Sequence, residues 1–206
     1  MTAERSIHWD DVYGRKESNE VSWYQEVPEK SLALVVGAGV STQDAIIDIG
    51  GGASTLVDHL LDAGYVDVSV LDLAEAAFDH SRRRLGERAA TVEWLLSDVT
   101  HFEPQRLYRL WHDRAAMHFL TDTADRERYV DVLLKSLEPG GHAVIATFGP
   151  EGPPKCSGLE IRRYTIGMLE EQLGPDFELQ FHELDDHQTP MGATQQFLYS
   201  WWTRRE

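Results

Sequence analysis

The 206-residue chain is 42% hydrophobic, which suits one globular core and leaves little material for a second. Its 35 acidic and 19 basic residues give a net charge of −16, which argues against nonspecific attraction to nucleic-acid phosphates or to an anionic membrane surface; small substrates or a basic protein partner remain compatible. The single cysteine, Cys156, excludes an internal disulfide. No apolar run approaches the roughly 20 residues of a bilayer span, and the polar start MTAERSIHWDD lacks the apolar region of a secretory signal, so a cytoplasmic location is expected.

In chain order, a helix is predicted through Ser31–Val36 after Pro28. Ala45–Asp48 then runs apolar into a glycine cluster, the pattern of a buried parallel strand ending in a tight turn. Leu56, Val57, Leu60 and Leu61 fall on one helical face, and Gly64 ends that helix. A strand over Val66–Leu71 ends at Asp72, a helix follows through Ala74–Leu85, and a third strand, Val92–Leu96, ends at Ser97 and Asp98. Leu107–Trp111 reads as a fourth strand, with His112, Asp113 and Arg114 beyond it. A helix over Arg126–Leu137 stops at Pro139-Gly140-Gly141, before a fifth strand over His142–Phe148. A loop rich in Gly and Pro, a helix over Thr165–Leu173 and two late strands, Phe177–Leu184 and Thr194–Trp202, complete the chain. Alternating strands and helices imply a parallel sheet covered on both faces, and the short link between the last two strands implies that they pair antiparallel. An open sheet of this kind holds its ligand beyond the C-terminal strand ends, where the strand order reverses.

The strongest signal is IIDIGGGAS, Ile46 to Ser54. Glycines at a strand–helix turn let the backbone approach a ligand. Asp48 at the strand end would repel phosphates but suits a cationic ligand. Asp72, about 20 residues beyond the turn, is placed to accept the ribose hydroxyls of an adenosine; NAD enzymes use the same device, so Asp72 alone does not separate the cofactors.

Asp48, Gly50 and Gly52, with Gly51 between them, resemble motif I of the class I S-adenosylmethionine-dependent methyltransferases, with Ser54 where that family often has its last glycine. The resemblance extends over residues 45–148. It implies a Rossmann-like, seven-stranded, mostly parallel α/β sheet with an antiparallel final strand. It also implies S-adenosyl-L-methionine as cofactor and S-adenosyl-L-homocysteine as product. Asp72 and Leu73 would lie at the ribose, and Asp98 and Val99 at the adenine. The family's motif IV falls at Trp111–Arg114, where the methyl group emerges. His112 or Asp113 there is a candidate to take a substrate proton or hold the methionine ammonium, and His118 in the apolar run AAMHFL is a further candidate base; the structural alternatives are that Asp113 pairs with Arg114 or caps a turn and that His118 is a core or wall residue. The Asn/Asp-Pro-Pro-Tyr signature of nucleic-acid amino methyltransferases is absent. His8–Gly14 and Ser22–Gln25 resemble the leading tryptophan-aspartate-x-x-tyrosine segment of tellurite/thiopurine-type and some protein-lysine methyltransferases. In that role Trp9, Tyr13, Trp23 and Tyr24 would cover cofactor and substrate, an aromatic face that suits a sulfonium; packing of an aromatic helix on the core is the alternative.

One domain is therefore expected over residues 1–206, with a helical or lid segment at 1–40, a cofactor core at 45–148, and a substrate loop with the closing strands at 149–206. No histidine or cysteine spacing points to a metal. The expected reaction is methyl transfer to a small-molecule O, N or S nucleophile. Two other readings stay open: a protein-lysine methyltransferase whose acidic surface docks a basic partner, and a module that binds the cofactor without turnover. The oligomeric state is not legible.

Overall fold

The computed structural model describes residues 2–206. Its elements are α1 (Thr2–Arg15), α2 (Glu29–Gly37), β1 (Ile46–Ile49), α3 (Leu56–Asp62), β2 (Val68–Asp72), α4 (Glu75–Leu85), β3 (Val92–Leu96), β4 (Tyr108–Arg114), α5 (Thr123–Ser136), β5 (Leu137–Phe148), β6 (Lys155–Cys156), β7 (Leu159–Glu160), α6 (Ile166–Leu173), β8 (Phe177–Gln188) and β9 (Thr194–Arg204). Seven strands form one sheet in the order β3-β2-β1-β4-β5-β9-β8. The first five are mutually parallel, and β9 runs antiparallel to both of its neighbours. Strand order reverses between β1 and β4, so the crevice beyond their C-terminal ends is the natural ligand position. Among the described residues no helix is long and apolar enough to cross a membrane.

The central strands are buried because helices cover both faces. All four residues of β1 and all five of β2 are buried, whereas the edge strand β3 is largely exposed. The pleat sorts side chains between the two faces. Ile46 and Leu110 pack with Leu34, Val57, Leu60 and Phe78 on the α2–α3–α4 side. Ile47, Ile49 and Trp111 pack with Tyr129, Leu133 and Leu169 on the α5–α6 side.

Several strands extend beyond their predicted bounds, β8 to Gln188 and β9 to Arg204 among them. β4 continues through His112, Asp113 and Arg114, which the sequence reading placed after the strand. β5 begins directly at the end of α5, with Pro139-Gly140-Gly141 inside it and a register shift against β4 between Tyr108 and Leu110 taking up the irregularity. The loop after β5 contains the small β6–β7 hairpin, which carries Cys156 inward.

Helix α1 carries the aromatic segment that the sequence reading gave as a lid or as an aromatic helix packed on the core. It docks on the start of α4: Ser6 Oγ donates to the Leu73 carbonyl, Asp10 Oδ1 accepts from the Ala76 N–H, and His80 Nε2 bonds the Tyr13 carbonyl. Arg5 pairs with Asp125 of α5 at 2.8 Å. These contacts hold the helix across the open end of the sheet.

Candidate active site

The β1–α3 turn is shaped by close approaches. Gly50 adopts φ +66°, and its N–H donates to the Leu71 carbonyl, which draws the turn against β2. A side chain at Gly51 would put its Cβ 2.1 Å from Asp48 Oδ2, and one at Gly52 would stand 2.6 Å from the Ala77 Cβ. Asp72 is fixed by the N–H groups of Gly52 and Ala74, each at 3.0 Å. Burial pushes its carboxyl up to about 6, against the pull of those N–H groups; the nearby Asp48 charge acts in the same direction as burial. Ser54 Oγ accepts from the Leu56 N–H at the start of α3.

Asp98 caps its own turn, with Oδ1 accepting from the Thr100 N–H and hydroxyl. Its Oδ2, like Oδ2 of Asp48, is buried without a hydrogen-bond partner among the described residues. Asp48, Asp72 and Asp98 line one cavity, together with Leu73 and Val99. Buried carboxylate oxygens without partners in a cavity call for a ligand that donates hydrogen bonds or carries positive charge.

Asp48 and His112 are cross-strand neighbours on the same face of the sheet. His112 Nδ1 lies 2.6 Å from Asp48 Oδ1, and its Nε2 lies 2.8 Å from Ser31 Oγ on α2. The carboxylate only accepts, so Nδ1 carries the proton and Nε2 accepts from the Ser31 hydroxyl. All three side chains are buried and line the cavity. Residues 46–141 match the family model described as a methyltransferase domain. This match covers just under half of the chain and agrees with the resemblance to the class I S-adenosylmethionine-dependent methyltransferases.

Proteins similar to this chain include Nodulation protein S of Rhizobium tropici, 34% identical over 80 residues that cover 39% of this chain and 33% of that protein. The mouse eEF1A lysine and N-terminal methyltransferase is 26% identical over 141 residues, covering 65% of this chain and 20% of the relative. The match thus spans about a third of the first relative and a fifth of the second. The fold matches the N-methyltransferase NodS of Bradyrhizobium japonicum WM9, solved in complex with S-adenosyl-L-homocysteine, with a TM-score of 0.72 at 17% identity, covering 96% of this chain and 98% of that one.

The cavity gathers Trp9, Tyr13, Asp48, Gly50, Gly51, Asp72, Leu73, Asp98, Val99 and His112; Gly52 stands behind them and holds Asp72. Two proposed proton acceptors lie elsewhere. Asp113 is one pleat out of phase with His112, so it points to α5 and is not among the lining residues. There it accepts from the Ala116 and Met117 N–H groups and from the Tyr129 hydroxyl. Burial nonetheless pushes its carboxyl up to about 6. Of the two structural alternatives for Asp113, the turn cap is the one observed; it does not pair with Arg114, because the two project from opposite faces.

His118 is fully buried and does not line the cavity. Its Nδ1 accepts from the Phe148 N–H, so its one ring proton sits on Nε2. Burial, aided by the Arg114 charge, drives its pKa down to about 3. The free nitrogen of His118 is a donor and cannot act as a base.

Trp9 stacks on Tyr13 and meets Trp23 and Phe119 edge-on, forming the aromatic wall of the cavity. Cys156 also lines the cavity, but burial pushes its thiol up to about 12, so it is a neutral wall residue. Sequence reasoning missed Ser31, which looked like any small residue in a helix. It also missed the part played by Arg114, and Ala115, which sits between Arg114 and Ala116 at φ +74°.

Proposed function

We propose that this chain transfers a methyl group from S-adenosylmethionine to a small-molecule nucleophile. The observation that carries the reading is the convergence of three strand-end carboxylates on one cavity, two of them with a buried oxygen lacking a partner, against a glycine turn with no room for a Cβ at Gly51 or Gly52. The donor set fits this cofactor. Asp72 and Leu73 would hold the ribose, Asp98 and Val99 the adenine, and Asp48 with Gly50 and Gly51 the methionine end. Trp9 and Tyr13 of α1 would close over them as a lid within the segment 1–40. When bound, the cofactor supplies a methyl group already activated on a sulfonium, so the protein's task is to position the acceptor, exclude water and remove a proton.

Among the candidate bases, His112 is supported by geometry. Asp48 orients its ring and would stabilise the imidazolium formed on proton uptake. Ser31 Oγ, bonded to Nε2, would take the acceptor's proton as its own passes to His112. Asp113 shapes the turn beyond β4 and stays out of the chemistry.

A nitrogen acceptor is supported by the likeness to NodS, itself described as an N-methyltransferase. A protein acceptor is the second reading, supported by the similarity to the eEF1A lysine and N-terminal methyltransferase and by the acidic charge of the chain. Calorimetry with S-adenosylhomocysteine, followed by a labelled-methyl screen of amines, phenols, thiols and cell lysate, tests the proposal. Label in small molecules is expected. Label in protein bands selects the second reading, binding without turnover selects a cofactor-holding module, and no binding refutes all three.

A further inference from the structure

Arg114 ends β4 on the same face as Asp48 and His112, two residues beyond His112, and lines the same cavity. Its guanidinium is rigidly held. Nε donates to Tyr199 Oη and Nη1 to the Trp23 carbonyl, both at 2.8 Å, and the group lies 4.4 Å from the centre of the Phe197 ring. The third nitrogen, Nη2, is buried and has no partner.

No carboxylate among the described residues pairs with this cation, although the chain carries an excess of 16 negative charges. The acidic side chains of the neighbouring edge strand, Glu183 and Asp185, pair with Lys30 instead. The titratable groups that feel the Arg114 charge are His118, His187 and Cys156, and none is an anion: burial lowers both histidines and raises the thiol. An arginine does not escape burial by losing its proton, so a fixed guanidinium with an open nitrogen calls for an anion from outside the chain.

Position along the sheet indicates which molecule supplies it. Asp98, Asp72 and Asp48 follow β3, β2 and β1, on one side of the reversal of strand order. Arg114 leans the other way, onto Phe197 and Tyr199 of β9 and beside Cys156 of the β6–β7 hairpin. We propose that Arg114 is the receptor for a carboxylate on the methyl acceptor, and that this enzyme therefore acts on acidic small molecules. The inference rests on the methyltransferase reading above and bears on its second form, because a guanidinium at the acceptor end opposes a lysine ammonium.

The test uses the full chain saturated with S-adenosylhomocysteine and titrated calorimetrically with benzoate and with its neutral isostere benzamide. Benzoate is expected to bind at least about tenfold more tightly than benzamide, and R114M is expected to abolish that preference. Equal binding of the two probes, no benzoate binding in the millimolar range, or an unchanged preference in R114M overturns the proposal. A second arm compares S-adenosylhomocysteine with 5′-methylthioadenosine, which lacks the methionine carboxylate. R114M is expected to leave both affinities within about threefold of wild type, as fits a guanidinium that does not touch the cofactor. Loss of affinity for S-adenosylhomocysteine alone assigns the guanidinium to the cofactor's own carboxylate and overturns the acceptor assignment. Should R114M no longer bind either nucleoside, R114K, which keeps the charge but not the fork, takes its place: a weakened or lost preference for benzoate supports the proposal, and an unchanged preference overturns it. Wild-type protein that binds neither nucleoside refutes the methyltransferase reading itself.

Discussion

Asp72 ties cofactor binding to pH in a direction the structure fixes. Burial lifts its carboxyl from 3.8 to about 6, and a carboxylate is needed to accept both ribose hydroxyls. If only the ionised form binds, the apparent Kd for S-adenosylhomocysteine is flat above pH 7 and rises about tenfold by pH 5, one unit below that value. The stability effect has the opposite sign. The folded state holds the Asp72 proton more tightly than the unfolded chain does. Its contribution to stability is therefore full below pH ~3.8 and is lost as the pH climbs through about 6, a loss of order 3 kcal/mol. Asp72→Asn should accordingly weaken S-adenosylhomocysteine binding at pH 8 by about tenfold or more and remove the slope between pH 5 and 7, while raising thermal stability at pH 7. Calorimetry and thermal melts across that range measure both effects. Asp113 titrates in the same window, but it lies off the cavity and so should affect melting without steepening binding. An unchanged binding slope in Asp72→Asn, or wild-type affinity that is level from pH 8 to pH 5, refutes the reasoning.

Gly51→Ala forces a methyl group against Asp48 Oδ2, so it should cost about 1–3 kcal/mol in urea unfolding and abolish measurable S-adenosylhomocysteine binding. Asp113→Ala strips acceptors from two backbone N–H groups and the Tyr129 hydroxyl, so a loss of about 3 kcal/mol or more is expected in the same assay; a loss below about 1 kcal/mol contradicts the structural role given to it. Ala115→Gly relieves a left-handed backbone conformation and should raise stability by about 1 kcal/mol, with destabilisation as the contrary result. Once an acceptor is in hand, His112→Gln should lower kcat by about 10²–10⁴ while cofactor affinity holds within a few-fold; full activity eliminates His112 as the base.

The glycine turn was readable because its constraint is written in residue type: an acidic residue at a strand end with three successive glycines two residues on has few uses other than close approach to a ligand. The parallel body of the sheet and its antiparallel end followed from alternation and from the two consecutive late strands. The site's own side of β4 was harder to read. Leu107–Trp111 is an apolar run, and the polar His112-Asp113-Arg114 that follows looks like its end, yet the strand continues because those groups are buried against partners from α2, α5 and β9. Periodicity registers burial of carbon and says nothing about burial of a histidine that a distant serine satisfies. Ser31 was hidden for the same reason.

The pleat of β4 explains why three adjacent polar residues have three fates. His112 and Arg114 share the cavity face, two residues apart, one tied to the carboxylate of β1 and the other to the tyrosine of β9. Asp113 between them must face α5, and it uses that position to anchor the turn at Ala116 and Met117 that lies beside the cavity. Inserting or deleting one residue before His112 would exchange these roles, sending a carboxylate into the cavity and two bases into the core. The spacing of the three residues therefore constrains the site as tightly as their identities do. A variant with one residue inserted between Tyr108 and Leu110, where the register already shifts, is the most direct probe of whether the irregularity there exists to set that phase. If the register shift takes up the extra residue, cofactor binding survives; if the phase of β4 moves with it, binding and fold are lost together.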